Sequence, residues 1–164
     1  MEEKSVKEKL KELDLIDVAL FRHGFCEHMR DYFLEYESGG IQPYAGRYIC
    51  WFTHCVVANT ETRVACETWK KSWSHEYIDY QEWINAGEPD GLVWGTNWSL
   101  TYPGLEYVQN SDPARRWSMQ LEKEMHEVTI DTEIFHIQLI FHDVITQKLG
   151  SDLTVIDKVI FPIK

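Results

Sequence analysis

The stretch WFTHCVV (residues 51–57) returns in altered form as LIFHDVI (residues 139–145), a histidine among hydrophobes each time. Laid on one another, the two pair His54 with His142, Val56 with Val144 and Phe52 with Ile140. The match extends upstream. MRDYFLEYE (29–37) lies on MHEVTIDTE (125–133), with Met29 on Met125, Asp31 on Glu127, Leu34 on Ile130 and Glu37 on Glu133. Thirteen residues separate Glu37 from Trp51 but only five separate Glu133 from Leu139. The glycine-rich segment SGGIQPYAG (38–46) absorbs the difference, where added length costs little.

Within both copies apolar residues alternate with polar ones, the period of a strand with one buried face. Phe135, Ile137, Leu139, Phe141 and Ile145 fall on one face of the later copy, and the pattern implies that Phe141 shares an interior with Trp51 of the earlier one. A single strand pair is marginal in water, whereas two can bury their apolar faces together. The expectation is an α+β domain spanning residues 1–164. Its antiparallel, β-rich core comes from two related strand-pair units (29–57 and 125–145), packed as a sandwich or one curved sheet, with about three flanking helices. Strands with ordinary alternation would give a similar echo without duplication.

Around that core, Val6, Leu10 and Leu13 have the spacing of a short amphipathic helix. DVALFRHGF (17–25), RYICWFTHCVVA (47–58) and RVACETW (63–69) read as strands, and Gly24 as a positive-φ turn residue. Tyr77, Tyr80, Trp83 and Ile84 recur at helical spacing after Ser74, and Gly87 with Pro89 marks the end of that helix. Residues 91–109 read as strand pieces broken by turns. Ser111 or Asp112 before Pro113 opens a helix whose stripe is Ala114, Trp117, Leu121 and Met125, and LTVIDKVIF (153–161) reads as a last strand.

Composition narrows the function. Sixteen Lys and Arg against 27 Asp and Glu give a formal net charge of -11. Such a surface repels phosphate backbones and anionic membranes and suits a basic protein partner. The first residues, MEEKSVKEKLKELDLID, contain no apolar signal-like run, and no stretch is apolar enough to span a membrane. Cys26, Cys50, Cys55 and Cys66 form neither a CxxC pair nor a regular framework, so they read as core thiols in a reducing cytoplasm.

Two sets of residues are candidates for a site. Trp83 and Trp94, ringed by Asp79, Glu82, Glu88 and Asp90, would make an aromatic anchor with acidic surroundings, the arrangement of a protein-binding hot spot. His23, Arg30, Asp31, His54 and His142 form an alternative polar site, for a small ligand, a metal or catalysis, if the fold brings them together. No HExxH, HxH or nucleotide-binding glycine pattern occurs, so neither metal nor cofactor is assigned. Cys26 with His28 or His54 as base is the conceivable nucleophile; Arg30 paired with Asp31 is the plainer reading of that turn.

The words RHGF, MRDY, FTHCV, EPDGLVWG, YPGL, MHEV and FHDV, in that order across residues 17–146, resemble those of small bacterial proteins of the YxiG-like type. The resemblance carries over no catalytic residue. It implies a soluble bacterial protein, of a kind found in loci of polymorphic toxins, where acidic partners neutralise basic nuclease domains. The expected function is a non-enzymatic, immunity-like binding protein that occludes a basic partner. A ligand-binding protein or enzyme built on the histidine set is the rival, and a homo-oligomeric module is a third possibility.

Overall fold

The structure, a computed structural model, describes residues 4–13, 15–39, 45–73, 77, 80–89 and 98–150. Helix α1 (Val6–Glu12) is fixed at its start by a reciprocal cap, in which Ser5 Oγ accepts from the Glu8 amide and Glu8 Oε2 accepts from the Ser5 amide. Strands β1 (Ala19–Phe25), β2 (Tyr32–Ser38), β3 (Gly46–Thr53) and β4 (Val57–Thr62) follow. Next come α2 (Cys66–Ser72), α3 (Tyr80–Asn85), β5 (Ser99–Tyr107), α4 (Asp112–Leu121), β6 (His126–Thr132), β7 (Phe135–Phe141) and β8 (Asp143–Lys148). The fold is α+β and dominated by its sheet.

All eight strands join one antiparallel sheet in the order β4-β7-β6-β5-β1-β2-β3-β8. Its two outer strands continue inner ones, since β4 follows β3 across residues 54–56 and β8 follows β7 across His142. The long strands pair with each other on both sides of these breaks. Thr53 faces Asp143 before the break and Val57 faces Ile140 after it, so residues 54–56 oppose only Phe141 and His142. One extra residue on one strand is the signature of a bulge, which bends the strand. Phe52 and Phe141, on strands five places apart in that order, have ring centroids 4.8 Å apart, so the sheet folds back around one interior.

That interior joins Leu10 of α1 and the adjoining Leu13 to Leu34, Phe52, Ile130 and Leu139. At the thin β1–β5 seam only two residue pairs are made, and the segment before β1 reinforces it. The Asp17 amide donates to Thr101 O at 2.9 Å, and the Val18 amide to Thr101 Oγ1 at 3.0 Å. Gly104 has φ +91°, and a Cβ there would overlap the Leu15 carbonyl oxygen. On the outside, α4 starts at Ser111, whose hydroxyl caps the Ala114 amide and donates to the buried Glu127 carboxylate.

The bends correct several expectations. RYICWFTHCVVA and FHIQLIFHDVI are each two strands, and the break at His142 reverses which residues face inward, whereas Phe52 before residues 54–56 and Ala58 after them keep the same alternation. Val144 therefore lies in the main core while Ile145 packs on the other face. Trp51 does not share an interior with Phe141, because it sits with Cys26 and Ile49 on the opposite face of β3. Phe52 fills that role. Pairing Phe52 with Ile140 joins residues on opposite faces; sliding the later copy by one residue would match them, since a one-residue slip inverts every side chain.

RVACETW is helix α2 rather than a strand. The pairing of β4 with β7 ends at Thr62 and Phe135, and Ala65, Glu67, Lys70 and Lys71 favour a helix once no partner strand remains. Four helices are present among the described residues, and residues 99–107 form one strand. Gly24 lies within β1 opposite Phe33. Leu121 is exposed, as is Cys66, whereas Cys26, Cys50 and Cys55 are buried. Ser74 and the LTVIDKVIF segment lie outside the described residues.

Candidate functional site

The turn between β1 and β2 is tied by the Cys26 amide to Asp31 O (2.8 Å) and by the Met29 amide to Cys26 O (2.7 Å). Met29 takes a left-handed φ of 55° there, and His54, at the β3–β4 bend, takes one of 48°. Left-handed conformations at non-glycine residues must be held by their surroundings. The buried Asp31 carboxylate supplies the hold. It accepts from the His54 amide at 2.9 Å and from Arg30 Nε and Nη2 at 2.9 and 2.6 Å, and the Cys55 amide donates to Arg30 O at 2.8 Å.

The second bend lies alongside. The His142 amide donates to Thr53 O at 2.9 Å, and its Nδ1 lies 2.7 Å from Glu124 O. A carbonyl only accepts, so Nδ1 carries a proton, and in the neutral tautomer this leaves Nε2 as the acceptor. The His54 and His142 rings meet edge to face with centroids 6.1 Å apart. Asp143 caps the start of β8 through the Val144 amide (2.8 Å) and binds Lys9 Nζ at 2.7 Å. A third imidazole, that of the buried His126, stands behind them with Nδ1 3.2 Å from Tyr107 Oη and Nε2 3.9 Å from Glu124 Oε1.

Electrostatics follow from this packing. Burial raises the Asp31 carboxyl, but the Arg30 hydrogen bonds, the His54 amide and the nearby charges outweigh it, so Asp31 stays below the usual carboxylate range. Burial lowers the His126 imidazole, with His142 acting in the same direction against Glu124 and Asp143. Burial lifts the Cys26 thiol and pushes Cys50 and Cys55 each up to about 12. All three thiols are therefore protonated at neutral pH, which deprives a cysteine nucleophile of its thiolate.

Of the five residues in the polar set, Arg30, Asp31, His54 and His142 come together. His23 does not. It lies against Tyr32 Oη (2.7 Å) and the Phe135 ring (5.1 Å between centroids), where burial lowers its pKa. The corner offers a half-exposed guanidinium, an exposed imidazole and an imidazole acceptor, a set suited to hydrogen-bonding a polar ligand. Among the described residues no group of three His, Cys, Asp or Glu could hold a metal ion.

In the aromatic set, Glu82 and Glu88 are exposed. Trp83 is half-buried, and its indole donates to Pro89 O at 3.2 Å, so it braces the end of α3. Asp79, Asp90 and Trp94 lie outside the described residues. Among the described residues the indole most open to solvent is Trp73, 87% exposed at the end of α2, with Trp69 also exposed one turn earlier. Sequence reading did not single out Glu124, His126 or Lys9 for the corner. For Glu124 and His126 the one signal is the polar stretch leading into β6, which alternation treats as a strand approach, and Lys9 sits among the charged residues of α1.

Comparison with known proteins adds a family. The family model described as YxiG-like protein matches residues 2–158. A crystal structure of an uncharacterized protein from Neisseria gonorrhoeae aligns with 10% identity and a TM-score of 0.39, covering 82% of this chain and 93% of that one. No curated protein matches. Among the described residues no helix is long and apolar enough to cross a membrane.

Proposed function

The chain belongs to the YxiG-like protein family, and for this member we propose a non-enzymatic binding role in which an acidic, aromatic surface occludes a basic protein. The exposure of Trp73, with Trp69 beside it, carries the reading. An indole left in water has apolar area to bury and a donor to satisfy, and Trp is enriched where binding energy concentrates. Glu82 on α3 and Glu88 just beyond it add exposed acid, and the net charge of -11 favours encounter with a cation-rich partner. Occlusion of a nuclease toxin, in the manner of an immunity protein acting in the cytoplasm, is the concrete form of this proposal. It also treats β2–β3 and β6–β7 as related units. Support comes from the inward Tyr32 and Leu34 matching Val128 and Ile130, with a buried acid before each pair at Asp31 and Glu127.

The test is capture of partners from the organism that encodes the chain. Wild type is compared with Trp73→Ala and with Glu82→Lys/Glu88→Lys. A basic protein retained by wild type, released by salt and weakened by both variants is expected. Retention indifferent to the variants and to salt would overturn the proposal. The convergence of Arg30, His54 and His142 favours a second reading, a polar-ligand site at the bends. Chemical-shift changes confined to those residues on addition of a metabolite mixture would support it, and an unchanged spectrum would count against it.

A further inference from the structure

A cavity of about 830 Å³ lies between α1 and the inner face of β2, β3 and β8, away from the histidine corner. It opens to solvent at Glu12 and Thr146, which are exposed, and its volume falls within the range of about 300–1,000 Å³ that small-molecule pockets span. The inner wall is aromatic. Tyr36 and Tyr48 stack with ring centroids 5.6 Å apart and planes 15° from parallel, and the cavity touches both. Leu13 and Val144 add apolar surface, while Ser38 and Thr146 bring hydroxyls.

Charge at the rim is already matched. Lys9 Nζ is bound by Asp143 at 2.7 Å, and Glu12 is bound by Lys4 at 2.7 Å. A charged ligand would have to displace one of these partners; a neutral one would not. The two rings are stacked on each other and Lys148 Nζ lies 5.6 Å from the Tyr48 centroid, so the pair meets a further ring at its edges, and edge-to-face contact is a preferred geometry for π-systems. We propose that this cavity binds a neutral, planar aromatic molecule with hydrogen-bonding groups on its edge, and that α1 forms its roof.

Nile red, neutral and planar, is the probe, titrated into the full chain with its fluorescence recorded. Saturable one-site binding with blue-shifted emission is expected. Thr146→Trp, which fills the cavity from β8, should weaken binding at least about tenfold, a loss of roughly 1.4 kcal/mol. Ser38→Trp fills it from the opposite wall and replaces Thr146→Trp should circular dichroism show that variant unfolded. Absence of saturable binding by wild type, or unchanged affinity in a folded filling variant, would overturn the inference. So would binding that survives Thr146→Trp but is abolished by Trp73→Ala, because the dye would then sit on the α2 indole.

Discussion

The two bends carry the same sequence echo and are built differently. At the β3–β4 bend the chain spends three residues, 54–56, and puts His54 in a left-handed conformation held by the Asp31 carboxylate from the β1–β2 turn. At the β7–β8 bend His142 alone intervenes, and the acid that caps the restart, Asp143, is the next residue in the chain. The first bend depends on a long-range buried acid, the second on a local one. A similar residue pattern therefore fixes the place of a bend but not the means of holding it.

The largest effect should come from the core that both bends share. Phe141→Ala removes a fully buried ring packed edge-on against Phe52, and a loss of about 3–5 kcal/mol in urea-unfolding stability is expected. Next is the contrast between the acids. Asp31→Ala strands the His54 amide, costing about 2 kcal/mol, because a donor left without its acceptor loses its full hydrogen bond, while the half-exposed Arg30 guanidinium turns to water. Asp143→Ala loses a partly exposed ion pair and one cap, about 1 kcal/mol. Equal losses would erase the distinction between the bends.

Glycine should act with opposite sign at the two histidines. His54→Gly relieves a left-handed residue and is expected to be neutral or stabilising by up to about 1 kcal/mol. His142→Gly forfeits the Glu124 hydrogen bond and adds chain entropy to the unfolded state, costing about 1 kcal/mol. Thermal melts of the pair decide it.

The smallest expected effect is that of pH. His126 and His23 have folded pKa values lowered by burial, so the unfolded chain takes up protons more readily as pH falls through the ordinary imidazole value of 6.5. Stability should decline from pH 7.5 to pH 5, and His126→Gln should flatten that decline. Asp31 contributes separately, since its lowered pKa gives stability that is lost only in stronger acid, below the usual carboxylate value of 3.8.

Much of this was legible in the sequence, for reasons particular residues show. Alternation located β2, β6 and β7, because Leu34, Ile130 and Leu139 face one interior and their neighbours do not. Ser111 and Pro113 marked α4, because a cap and a missing donor are local chemistry. The breaks at residues 54–56 and 142 were not legible. Apolar residues continue across them, and the inversion that puts Val144 inward and Ile145 outward depends on pairing with a distant strand. For the same reason the convergence of Arg30, Asp31, His54 and His142 could be posed from sequence but not decided, and nothing local separated His23 from them.

The pairing of the two bends is tested most directly by a nuclear Overhauser measurement between the imidazole protons of His54 and His142 in isotopically labelled protein. The account calls for a cross-peak between the rings, with the His54 amide protected from exchange. A His54 ring with contacts only to residues near it in sequence, and an amide exchanging at the free rate, would contradict it.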